Sequence, residues 1–140
     1  MATLSEPRLI TESDLLWVVW LGRKRYPKNY DPPGAEGWLR NIVLKNPLMF
    51  LPQRTTNAFL ISMISVKPWT PGETECNVAA LCADDGAMWE AMKLIRWSVE
   101  WARLRKCTLW SMMSDTDYDF TMLARRIGAV EAAPRFHMRL

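Results

Sequence analysis

Hydrophobic and polar positions along this chain change period several times, and the changes outline its elements. The clearest segment is 85–105, where Met88, Met92, Ile95, Val99 and Ala102 recur at 4-3-4-3 spacing. Leu94, Trp97, Trp101 and Leu104 widen this stripe, while Lys93, Arg96, Glu100 and Arg103 make a polar one. That is the pattern of an amphipathic helix laid on a sheet. Residues 57–66 are apolar almost throughout, as in a central strand covered on both faces. Residues 48–51, bounded by Pro47 and Pro52, predict a strand before it, and 75–83 a strand after it, with Pro68, Pro71 and Gly72 in the intervening turn.

The N-terminal third reads as a short strand at Arg8-Leu9-Ile10, then two helices. Thr11-Glu12-Ser13-Asp14 carries helix-starting chemistry. The first helix, 13–26, has Leu15, Leu16, Val19 and Trp20 as its apolar face and stops at Pro27. The second, 35–45, has Trp38, Leu39 and Ile42 on one side and ends at Asn46-Pro47, because a residue before proline avoids the helical region. Downstream, 107–113 predicts a strand and Ser114-Asp115-Thr116 caps a last helix bearing Phe120, Leu123, Ala124 and Ile127. Gly128 suits a left-handed helix terminus. Residues 129–140 supply a final strand or a hairpin interrupted at Pro134.

Composition adds three points. At 140 residues and 49% hydrophobic the chain reads as one domain, 1–140, with a full core. Eight Trp and nine Met exceed what a core needs and point to a contact surface for a protein partner, self or other. Trp38, Trp69, Trp97 and Trp101 are the residues placed there. Cys76, Cys82 and Cys107 lack paired spacing and read as buried free thiols in a reducing, cytoplasmic compartment; with one His, a metal site is not expected. No apolar run is long enough to span a membrane. The net charge of +3 and the dispersed basic residues (Arg23, Lys24, Arg25, Lys28, Arg125, Arg126) argue against nucleic acid, and Arg23-Lys24-Arg25 suits the negative end of a helix. The serines and His137 form no nucleophile elbow or triad order.

The order strand, two helices, three strands, helix, strand, helix, strand resembles the GNAT (acetyl-CoA-dependent N-acetyltransferase) fold along nearly the whole chain. Val99-Glu100-Trp101-Ala102-Arg103 looks like the end of that family's central helix, and Leu123-Ala124-Arg125-Arg126-Ile127-Gly128-Ala129 like its helix-then-glycine segment. The resemblance implies an α/β (α+β) domain with a mixed, mostly antiparallel central sheet and about four flanking helices. It also implies an acetyl-CoA site where the third long strand meets the central helix. Residues Leu81, Cys82 and Ala83, and the amides of Gly86, Ala87 and Met88, would make the coenzyme contacts.

The chain departs from the family at chemically important points. Counting back from Trp101, the glycine positions of the phosphate loop hold Ala87, Trp89 and Ala91, and the loop reads Ala83-Asp84-Asp85-Gly86-Ala87. Each carboxylate at ~4–6 Å from a pyrophosphate charge would cost about 3–4 kcal/mol. The aspartates have a ready alternative use, capping the central helix and matching its positive end. The family's thiolate-protonating Tyr position holds Ala124, and its Asn position holds Asp117; Tyr118 could serve only in a shifted register. Glu75 stands where some members carry a general base. A second resemblance, carried by Thr108-Leu109-Trp110 and Ile127-Gly128-Ala129-Val130, is to small GNAT-like internal virion or assembly proteins of short-tailed bacteriophages. The missing glycines, the acidic turn and Ala124 therefore point to a non-catalytic binding or assembly component with no cofactor, and the second resemblance implies one that is phage-encoded and packaged from a host cytoplasm. The alternative is an active acetyl-CoA-dependent N-acyltransferase with a divergent loop.

Overall fold

The computed structural model describes residues 6–28, 30–66, 69–70, 72–112 and 121–129. Strand β1 (Arg8–Leu9) leads through a 3-10 turn (Glu12–Asp14) into α1 (Leu15–Arg25). Helix α2 (Pro32–Trp38) runs on into a π turn (Leu39–Val43). Then come β2 (Phe50–Arg54), β3 (Ala58–Val66), β4 (Thr74–Ala83), α3 (Met88–Leu104), β5 (Leu109–Ser111) and α4 (Thr121–Arg126). The strands form one sheet in sequence order; the first four are antiparallel and β5 joins β4 in parallel.

Alternation along β3 explains its apolar run. Phe59 and Ile61 face a core built with Leu15, Val18 and Leu21 of α1 and with Leu39 and Val43. Ala58 and Leu60 face the other core, with Ala91, Leu94 and Ile95 of α3 and Leu123 of α4. Both faces of the central strand are dry, so both residue parities must be apolar. On the α3 side the core ends in polar contacts. Ser62 and Ser98 hydroxyls lie 2.7 Å apart, and Trp110 Nε1 donates to Ser98 Oγ at 3.0 Å, tying β5 to α3.

At the start of α1, Thr11 N–H donates to Asp14 Oδ2 at 2.8 Å. Asp14 also pairs with Arg8 (2.8 Å) and Arg54 (3.0 Å), and the Arg54 guanidinium lies 3.5 Å from the Trp17 ring centroid. Asp14 is buried, and the Arg8 hydrogen bond holds its carboxyl well below the usual range.

Several boundaries differ from the sequence expectation for physical reasons. The second helix starts at Pro32 rather than 35, with proline in the first turn where no amide is needed. Strand β2 runs through Pro52 instead of ending at it. Pro52 C=O accepts from Ile10 N–H, so the missing proline N–H falls on the side of the two-residue edge strand β1, where a ladder bond is dispensable. The buried face of α1 is Leu15, Val18, Leu21 and Gly22, not Leu15, Leu16, Val19 and Trp20; Leu16 is 79% exposed. Leu15, Val18 and Leu21 pack with Phe59 and Ile61 of β3, and Gly22 lies close to Tyr30, whose hydroxyl oxygen a Cβ there would meet at 2.5 Å. Cys76 and Cys82 lie buried in β4, whereas Cys107 precedes β5 instead of lying in it. Gly128, at φ +86°, follows α4 in the expected left-handed conformation. The expected strand at 129–140 lies outside the described residues, apart from Ala129.

Candidate functional site

The site is assembled where β4, the head of α3 and the end of α1 meet. Among the described residues β4 and β5 pair at Glu75↔Leu109, Cys76↔Trp110 and Asn77↔Ser111, after which β4 runs on to Ala83. A bulge lies just beyond this pairing: Ile61 opposes Ala80 and Ser62 opposes Val78, leaving Ala79 as the extra residue.

Hydrogen-bond alternation settles which backbone groups face the edge beyond. Asp84 N–H donates to Asn57 C=O and Thr55 N–H to Ala58 C=O, so Asp84 is turned toward β3 and Ala58 toward β2. Cys82 therefore bonds within the β3–β4 ladder, while Leu81 and Ala83 turn their N–H and C=O groups to the opposite edge. Tyr26 Oη donates to the Leu81 carbonyl there at 3.4 Å. Of the expected strand contacts, Leu81 and Ala83 are placed at the edge and Cys82 is not. The Cys82 side chain lies in the α1 core, and burial pushes its thiol up to about 12.

The acidic turn differs most from expectation. Neither aspartate caps α3: the helix starts after Ala87 without a side-chain cap, and Ala87 N–H donates to Asp84 C=O at 3.0 Å. Instead Lys24 Nζ lies 2.6 Å from Asp84 Oδ1, and Arg25 Nη1 lies 2.7 Å from Asp85 Oδ1. Asp85 Oδ2 is also 4.0 Å from Lys24. The Lys24 hydrogen bond leads in holding the Asp84 carboxyl below its ordinary value. Two cations thus balance two carboxylates, and the repulsion calculated for bare aspartates does not apply. The close approach of phosphate that needs a glycine is available at Gly86, which has φ +75° and open space where a Cβ would stand. The family-position alanines Ala87 and Ala91 are buried in the core under the helix. The first-turn amides of α3 have no acceptor within the helix.

Glu75 is buried (9% exposed) at the start of β4. Ser111 Oγ on β5 donates to its Oε1 at 2.7 Å and also contacts Asn77 Oδ1, while Asn77 Nδ2 lies 3.3 Å from Ser65 Oγ on β3. Tyr118, Asp117 and His137 lie outside the described residues, and of Ala124 only its place in α4 is described. Among the tryptophans expected on a partner surface, Trp69 is 78% and Trp97 48% exposed. Trp101 is half-buried near Arg105, and Trp38 packs edge-on against Phe50 at 6.0 Å, inside the α1–α2 core. Sequence reasoning missed Tyr26, Asn77 and Ser111, and read Lys24 and Arg25 as helix-end cations without their partners Asp84 and Asp85. Their partners lie on other elements, so no local period marks them. Among the described residues no acidic, Cys or His cluster could hold a metal ion, and no helix is long and apolar enough to cross a membrane.

No protein-family model and no curated protein matches the sequence. Solved structures do match in shape. A transcriptional regulator from Bacillus halodurans C-125 superposes with TM-score 0.81 at 15% identity, covering 99% of this chain and 100% of that one. A Trypanosoma brucei acetyltransferase gives 0.76 at 18%, with 99% and 100% covered. A glucosamine-6-phosphate N-acetyltransferase from Arabidopsis thaliana gives 0.78 at 9%, with 99% of each covered. An aminoglycoside N-acetyltransferase solved with CoA gives 0.76 at 10%, covering 99% and 97%. At such identities the likeness speaks for architecture alone, and that architecture, with β5 parallel to β4 on a four-stranded antiparallel sheet, is the GNAT fold.

Proposed function

We propose that this chain binds an acyl-coenzyme A and transfers its acyl group to an amine. The observation that carries this reading is the pairing of Asp84 and Asp85 with Lys24 and Arg25, which removes the charge that would repel a pyrophosphate. The residues present fit the coenzyme. Leu81 turns its N–H toward the strand edge beside the coenzyme's amide arm, and the amides of Gly86 and Met88 meet its phosphates at the positive end of α3, the Ala87 amide being held by the Asp84 carbonyl. Bound there, the coenzyme supplies an acyl group activated as a thioester. Glu75 takes the proton that the amine gives up as its nitrogen bonds to the acyl carbon, directly or through water. The structural neighbours named as acetyltransferases support the assignment at the level of fold.

Calorimetric titration with acetyl-CoA tests the reading. Micromolar binding supports it, and no heat at millimolar ligand overturns it. With an amine acceptor, Glu75→Gln should lower kcat by about 10²-fold or more while leaving acetyl-CoA affinity unchanged.

A second reading, the non-catalytic binding or assembly component, is favoured by the exposed Trp69, Trp89 and Trp97. The phage origin rests on the short sequence resemblance alone. This reading gains if acetyl-CoA fails to bind and Trp97→Lys abolishes self-association.

A further inference from the structure

The polar cluster around Glu75 spans three strands. Ser65 is on β3, Glu75 and Asn77 are on β4, and Ser111 is on β5 opposite Asn77. Glu75 and Asn77 share a face of β4, since Cys76 between them turns to the other face beside Ser62 and Ser98. The cluster can be read by counting hydrogens. A serine hydroxyl has one, yet Ser111 Oγ contacts both Glu75 Oε1 and Asn77 Oδ1, each an acceptor when Glu75 is a carboxylate. Turning the Asn77 amide end for end satisfies every member. Ser65 O–H then donates to Asn77 Oδ1, Asn77 N–H to Ser111 Oγ, and Ser111 O–H to Glu75 Oε1. The opposite direction is also complete, but only if Glu75 carries a proton and donates it to Ser111.

We infer that Ser65, Asn77 and Ser111 form a directional hydrogen-bond chain that holds the Glu75 carboxylate in place, with Ser111 as the positioning residue. The inference rests on the acyl-transfer reading above, in which Glu75 is the base. Its two directions match the two states such a base passes through. The carboxylate accepts from Ser111 before the amine is deprotonated, and the acid donates to Ser111 afterwards. As the amine nitrogen bonds to the acyl carbon, the carbon–sulfur bond breaks and the coenzyme leaves as a thiolate that takes a proton from water; the amine proton moves to Glu75 and from there to water, and the Asn77 amide turns end for end as the chain reverses. Parallel pairing of β4 with β5 at Asn77↔Ser111 is what brings the hydroxyl to the carboxylate, so this short pairing has a use beyond closing the sheet.

The test has a spectroscopic and a kinetic arm, both on the full chain. In the first, infrared difference spectra are taken of protein labelled with ¹³C-glutamate, with Glu75→Gln identifying the Glu75 band. Ser111→Ala should shift that band, Asn77→Ala should shift it through Ser111, and Ser111→Thr should leave it in place. An unmoved band in Asn77→Ala overturns the chain. In the second, thiol release from acetyl-CoA is followed with primary amines such as spermidine and glucosamine. Ser111→Ala should lower kcat about tenfold without changing acetyl-CoA affinity, and Ser111→Thr should restore it. A full kcat in Ser111→Ala overturns the positioning role. If the wild-type protein binds no acetyl-CoA, or turns over no amine, the acyl-transfer reading fails and the catalytic use of the chain fails with it, even where the infrared band moves. If turnover stands and only the Ser111 and Asn77 variants are silent, the inference alone fails.

Discussion

Asp14 carries a buried charge on which stability depends. It is buried, accepts from Thr11 N–H, and faces Arg8 and Arg54, so removing it leaves the half-buried Arg54 without its carboxylate. Asp14→Ala should lower unfolding stability by about 3 kcal/mol at pH 7, measured with urea. Because the folded-state pKa is depressed, this contribution is complete above the unfolded value near ~4 and is lost as pH falls toward the folded value. The gap between wild type and variant should therefore narrow below about pH 4. At the same scale, burial pushes Cys76 up to about 11 and Cys82 up to about 12, whereas Cys107 is half-exposed. Iodoacetamide on the native protein should label Cys107 first and leave the two β4 thiols unmodified until unfolding, as peptide mapping would show.

At the scale of elements, the last turn of α1 and the β4–α3 turn behave as one unit. Replacing Lys24 and Arg25 with alanine uncovers Asp84 and Asp85 beside the head of α3. Acetyl-CoA affinity should fall about tenfold in that double variant, and added salt should recover part of the loss by screening the carboxylates. Equal affinity at low salt would show that the pairs only brace the helix. Gly86→Val places a β-branched residue at φ +75°. It should destabilise the fold by about 1–2 kcal/mol and abolish acetyl-CoA binding; calorimetry showing wild-type affinity would remove Gly86 from the site. Helix α3 was legible as an element, and Met92, Leu94, Ile95 and Ala102 of its expected stripe are buried, but the buried face also takes Ala91 and Ser98 while Met88, Trp97 and Leu104 are exposed. The buried face of helix α1 was not legible, because Leu15–Leu21 is apolar nearly all round and several stripes fit it equally. Its true face is set by packing against β3 and the Leu39–Val43 turn, which lie elsewhere in the chain.

At the scale of the whole molecule, ligand binding and stability are linked. If acetyl-CoA binds only the folded chain, ligand at a hundredfold excess over Kd should add about 2.7 kcal/mol and raise Tm by roughly 9 °C, read by differential scanning calorimetry. An unchanged Tm at that concentration counts against the acyl-transfer reading. Local pattern was enough to outline the sheet-and-helix order, because two-sided burial of β3 and the single stripe of α3 leave strong periodic marks. From these marks the sequence alone determined the order of the described elements, the buried thiols of β4 and Gly86 as the turn glycine, and the resemblance to the GNAT family supplied the architecture. The meaning of the acidic turn was decided only by the tertiary structure. Read locally, Asp84 and Asp85 are a helix cap and a barrier to phosphate. In the fold they are neutralised by Lys24 and Arg25, sixty residues earlier in the chain. Pairing at that separation depends on how α1 crosses the end of β4, and no periodicity within either segment records it. The same holds for Ser111 and Glu75, joined only by the parallel register of two strands.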